Sequence, residues 1–276
     1  MSEEQVKVLQ TSDDPKELMR AAAGLAASAE RADHDALLRS LRSGSFLLRL
    51  NAAEEYAADP RRLRIKHVLE ALAGNKAAPA QDTLLELTKS AEFISEPARV
   101  DLLIKVSAGI RPPPKELIAF WDKHCQPEDG FGALSIDAML ENDSNPSIEL
   151  FEKKMTEAAQ PEDDKRGWMR SSLLMRRNSA RLLAGCERLL KGNLPGPLKA
   201  DLVEAIFDYK PAVWYTPAVN YTPPPLSSYT TSARTQLRMI GQYALDNLTL
   251  NNDQRQAVQV MLGQLERPAT GGPANP

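Results

Sequence analysis

The sequence predicts an all-α fold built as a row of helical hairpins, and three observations carry that prediction. Between residues 15 and 209 the apolar side chains recur at steps of three and four, as in "LLEL" at 84–87 and "VDLLIKV" at 100–106, and no stretch alternates convincingly at a step of two. Signals that stop or start helices return at regular intervals: Asp59-Pro60, Gly74-Asn75, Pro79, Ser95-Glu96-Pro97, "RPPP" at 111–114, Asn145-Pro146, Pro161 and the run from Gly192 to Pro197. Proline suits the first helical turn and glycine the exit, so the pieces between, mostly 11 to 16 residues long, give about a dozen short helices.

Taken in order, residues 1–14 read as a loose amino-terminal tail, and helices near 15–30 and 33–43 read as the cap of the row. A single domain is expected over 15–266. Pro79, Pro113 and Pro146 lie 34 and 33 residues apart, and each opens a segment with early apolar residues. These are Leu84, Leu85 and Leu87, then Leu117, Ile118 and Phe120, then Ile148, Leu150 and Phe151. A second apolar helix follows each, clearest in "EPARVDLLIKVSAG" and "GFGALSIDAMLEND". A helix pair with one apolar stripe per member cannot close a core alone, so such pairs must bury their faces against neighbours. After an irregular stretch at 210–229, "TTSARTQLRMIGQYALDNLTL" and "NNDQRQAVQVMLGQLE" give two more helices, the last capped by Asn252 and Asp253, and 267–276 reads as a disordered tail.

The pairs at 79–108, 114–142 and 146–177 resemble HEAT or armadillo-type α-solenoid repeats, with proline early in the first helix and aliphatic pairs in both. The resemblance covers roughly residues 36–209. It implies an α-α superhelix, a curved stack whose concave face binds proteins or, less often, nucleic acid. A compact multi-helix bundle is the alternative packing of the same helices.

Composition narrows the class of function. With 42% hydrophobic residues the 276-residue chain can bury a core, and a net charge of −3 argues against a surface built throughout for nucleic acid. The two cysteines, Cys125 and Cys186, suggest packed thiols rather than a disulfide framework, and the acidic start "MSEEQVKVLQTSDDPKEL" lacks the pattern of a secretion signal. A cytoplasmic location is expected, with no membrane span.

Residues that do chemistry are sparse. Of three histidines, His34 and His67 lie in highly charged settings and read as surface residues. His124 beside Cys125 offers two metal-ligand types without the four spaced ligands that zinc requires. "GFGALS" at 130–135 lacks the third glycine and the preceding strand of a dinucleotide loop. Neither a catalytic residue, a metal nor a cofactor is expected.

Two features read as contact surfaces. If 164–191 is one helix, a turn of about 100° per residue places Arg166, Arg170, Arg177, Arg181 and Arg188 within roughly 60° of one another, opposite a stripe of Trp168, Met175, Leu182, Cys186 and Leu189. "RRNS" at 176–179 is the place where that helix would break and scatter the arginines. A second basic run, Arg61, Arg62, Arg64 and Lys66, opens the helix after Pro60. The other feature is "DYKPAVWYTPAVNYTPPPLSSY" at 208–229, which forbids helix and holds five of the nine tryptophans and tyrosines, Trp214, Tyr215 and Tyr221 among them. It either covers the last helices or offers aromatic anchors to a partner. The function expected is therefore a non-catalytic helical-repeat scaffold that binds a protein partner through the concave face, Arg166, Arg170, Arg177, Arg181 and the aromatic segment. The alternatives are a HEAT-like nucleic-acid-binding protein of the DNA-repair glycosylase kind and a HEAT-like lyase.

Overall fold

A computed structural model describes residues 2–52, 59–173, 176–207 and 225–266. Trp214, Tyr215 and Tyr221, and the tail at 267–276, lie outside the described residues. Among those described the chain is all-α: fifteen α-helices and no strand. Contacts gather into two compact units, 1–123 and 124–276.

The first unit holds α1 (Ser2–Thr11), α2 (Pro15–Ala26), α3 (Arg31–Leu41), α4 (Gly44–Leu50), α5 (Ile65–Gly74), α6 (Ala78–Thr88), α7 (Pro97–Ser107) and α8 (Lys115–His124), whose last residue falls at the division. Helix α2 shows how local chemistry sets an element. Asp14 accepts from the Lys16 N–H at 2.8 Å, Pro15 supplies the preset φ of the first turn, and Leu18, Ala21, Ala22 and Leu25 form the buried stripe at steps of three and four. Each leucine hidden in this way contributes about 1.5–3 kcal/mol. Pro79, Pro97 and Pro146 also sit in first turns, whereas Pro113, the middle member of the spaced series, lies before α8 and outside its first turn.

The amino terminus is a correction. Residues 2–11 form α1 rather than a loose tail: Leu9 is 2% exposed, the helix packs on α2 and α3, and Glu3 and Glu4 complement the positive end of its dipole. So short a helix, with one deeply buried residue, is held by its neighbours and not by its own periodicity.

Within the first unit α5 packs on α2, α6 and α7, and α3 packs on α2, α4 and α6. The second unit holds α9 (Gly132–Asn142), α10 (Asn145–Thr156), α11 (Glu162–Trp168), a π-type segment at Met169–Leu173, α12 (Ala180–Lys191), α13 (Gly196–Phe207), α14 (Thr231–Asn247) and α15 (Asn252–Glu266). Here helices touch at every second place: α10 meets α12 and α12 meets α14, while α9 meets α11, α11 meets α13 and α13 meets α15. Contacts between α9 and α10, α12 and α13, and α14 and α15 tie the two series together.

The single helix over 164–191 is not formed. After α11 and the π-type segment, Ser179 takes the N-cap position and accepts from the Leu182 N–H at 3.1 Å, so α12 starts afresh. At the last helix the cap is Asn251, one residue before the expected pair. Its Oδ1 accepts from the Gln254 N–H at 2.8 Å while Gln254 Oε1 accepts the Asn251 N–H at 3.1 Å, a reciprocal box.

Candidate functional site

The arginines of the expected ridge turn to their own unit. Arg166 donates from Nε to Asp201 Oδ2 at 2.8 Å and from its two Nη atoms to Asp163 and Glu162 at 3.0 Å, and these partners, Asp201 first, raise its pKa. Arg170 stands 3.8 Å from the other oxygen of Asp201. Arg177 is 7% exposed and donates to the Ile206 carbonyl at 3.3 Å, which removes it from any contact surface. Arg181 donates to the Asp143 carbonyl and stands 3.7 Å from its carboxylate. Arg188 reaches both oxygens of Glu152, at 3.0 and 2.5 Å. These arginines thus tie α12 to α10 and to the end of α9, and α11 to α13. Arg176, absent from the expected ridge, does the same between α9 and the turn before α12, with Asp137 at 3.2 Å and Glu141 at 3.5 Å.

The basic run at 61–66 is also internal. Arg61 and Arg62 pair with Asp59, Lys66 stands 3.7 Å from Glu70, and Arg64 donates to the carbonyls of Leu50 and Ala52 at 3.4 and 2.7 Å, closing the exit of α4.

His34 corrects the expectation of a surface residue. It is 1% exposed, and Nε2 lies 2.8 Å from the Ser28 carbonyl, which can only accept, so that nitrogen carries the hydrogen. Its neighbourhood is a tied turn: Asn75 Nδ2 donates to the carbonyls of Ala26 and Ser28, and Ser28 Oγ donates to Asp33 at 2.6 Å. His67 is exposed, as expected. His124 is buried beside Asp129, with Nδ1 and Oδ2 2.5 Å apart. Cys125 and Cys186 are free and buried, and burial pushes the Cys186 thiol up to about 12.

A cleft that no motif announces lies in the first unit. It encloses about 490 Å³ between α4 and the stretch running from Glu92 through the 3₁₀ turn Phe93–Ser95 into α7. Leu47 and Leu63 form its floor with Ala98, and Leu48, 77% exposed, stands at the side. The sequence "FLLRL" explains Leu48. At about 100° per residue Phe46 and Leu50 fall on one side of α4, with Leu47 between the faces and Leu48 opposite, and a seven-residue helix has only one face to bury.

The other wall is acidic. Glu92 and Glu96 are exposed, and neither makes an ion pair within 4.0 Å among the described residues. Glu92 lies so close to Gly44 that a Cβ there would come within 2.3 Å of its Oε1, so the glycine makes room for the carboxylate. Arg99 offsets one of the two charges but forms no hydrogen bond with either carboxylate. Its Nε donates to the Phe93 carbonyl at 2.7 Å, and its Nη2 donates to the Glu92 carbonyl and Ser95 Oγ at 3.0 Å. Burial pulls its pKa below the ordinary value, against the raising influence of Glu96 and Glu92. Asn51 Oδ1, also at the cleft, is buried without a hydrogen-bond partner among the described residues. The cleft thus combines an apolar floor with two exposed carboxylates.

No family model, curated protein or solved structure matches this chain. Among the described residues no helix is long and apolar enough to cross a membrane.

Proposed function

We propose that the protein is a non-catalytic helical-repeat scaffold that holds a segment of a protein partner in the cleft between α4 and α7. The observation that carries this reading is Leu48, a large apolar side chain 77% exposed at the edge of an open, leucine-floored cleft. An exposed apolar side chain beside a concave apolar surface is what an anchor on a partner would cover. The repeat architecture draws support from the second unit, where α10, α12 and α14 follow one another in contact, as do α9, α11, α13 and α15. That every-second-helix pattern is how solenoid repeats share their apolar faces. The nucleic-acid alternative would need arginines turned to phosphate, whereas Arg166, Arg181 and Arg188 are engaged by carboxylates of their own unit.

A photo-crosslinking amino acid tests the reading. Placed at Leu48 in the native host it is expected to give one discrete protein adduct, and placed at Val260, 53% exposed in α15, none. Equal adduct patterns from both positions, or none from Leu48, would reject the cleft as the contact surface.

A further inference from the structure

Resting on that reading, the charge around the cleft identifies the chemistry of the partner. We propose that the cleft docks a protein segment in which a bulky apolar side chain is flanked by lysine or arginine. The apolar side chain covers Leu48 and reaches the floor made by Leu47 and Leu63. The flanking cations meet Glu92 and Glu96, the two carboxylates at the cleft that no cation of the described residues pairs within 4.0 Å. Arg99, which donates to the Phe93 and Glu92 carbonyls and to Ser95 Oγ, offsets part of this charge without pairing either carboxylate, so the charged residues lining the cleft, Glu92, Glu96 and Arg99, still sum to −1. An acidic segment would instead bring like charges together, and a purely apolar one would leave both carboxylates at the edge of a desolvated contact.

The test uses the full chain and three sets of fluorescent synthetic peptides with a central leucine or phenylalanine, flanked by lysine and arginine, by serine, or by aspartate and glutamate. The basic set is expected to bind at least about tenfold more tightly than either other set, and to weaken as salt rises. Combining Glu92→Gln with Glu96→Gln should remove that preference, and Leu48→Asp, at a position whose side chain faces solvent, should remove binding while leaving thermal unfolding unchanged. If flanks make no difference but Leu48→Asp still abolishes binding, the partner chemistry is wrong and the cleft reading stands. If peptides bind equally well to Leu48→Asp, the cleft reading itself fails. Absence of binding by all three sets overturns the proposal, and so does a dimer in sedimentation that Leu48→Asp dissociates, since the occupant is then a second copy of the chain.

Discussion

Arg99 grips Phe93 twice: its Nε donates to the Phe93 carbonyl at 2.7 Å, and its guanidinium carbon stands 5.7 Å from the centre of the Phe93 ring. Phe93 is fully buried, so this grip fixes the turn that carries the acidic wall of the cleft. Arg99→Leu removes donors to two carbonyls and a hydroxyl and is expected to cost about 1–3 kcal/mol in urea unfolding. Arg99→Lys, with a point charge in place of the fork, should restore only part of the loss. A variant as stable as the wild type would show that the grip does not hold the turn.

Asp143 ends α9 with φ of 51°, in the left-handed region, and Ser179 Oγ donates to its carboxylate at 2.7 Å. Asp143→Ala keeps the strained backbone and loses that bond, so it is expected to destabilise by about 1–3 kcal/mol. Asp143→Gly should recover about 1 kcal/mol of it, because glycine accepts this conformation freely. Calorimetry on the pair separates the two contributions, and equal melting temperatures would contradict the backbone part.

Two glycines should answer alanine in opposite ways. A Cβ at Gly185 would come within 2.7 Å of Ile148 Cγ2 and 2.9 Å of Glu152 Oε1, where α12 presses on α10, so Gly185→Ala is expected to cost about 1–3 kcal/mol despite better helix propensity. At Gly263, inside α15, nothing lies within 4 Å, and Gly263→Ala should stabilise by about 0.5–1 kcal/mol. Chemical denaturation reads both signs.

Cys186 has its thiol pushed from 9.0 up to about 12 by burial, with the Glu152 carboxylate adding to the rise. Near pH 8 the folded protein therefore offers no thiolate there, and a thiol reagent should label Cys186 only at the rate of unfolding. Below about 9 the group is protonated in both states and adds no pH dependence. Above that only the unfolded chain loses the proton, so stability falls as pH rises toward 12. Rapid labelling of Cys186 in the native protein would contradict the burial.

The helices were legible where sequence and packing agree. Proline in the first turn and apolar side chains at steps of three and four marked α2, α6, α7 and α10. Helix α1 was not, since its acidic start looks solvated and neighbouring helices hold it. The arginine alignment failed because an even 100° step presumes an unbroken helix, and Ser179 begins a new one; the "RRNS" stretch was the visible warning. His34 misled because its local sequence is charged while the ring turns inward to Ser28. The cleft was beyond reach because residues 44–52 meet residues 92–99 only in the fold, although the apolar run "FLLRL" on so short a helix already implied one exposed leucine.

Methyl NMR on the full chain tests the central claim most directly. Addition of a peptide with an apolar centre and basic flanks is predicted to shift the methyls of Leu47, Leu48, Leu63 and Ala98, leaving those of Leu182, Val258 and Leu265 in the second unit unmoved. Shifts centred on the second unit, or none at peptide concentrations that saturate binding, would contradict it.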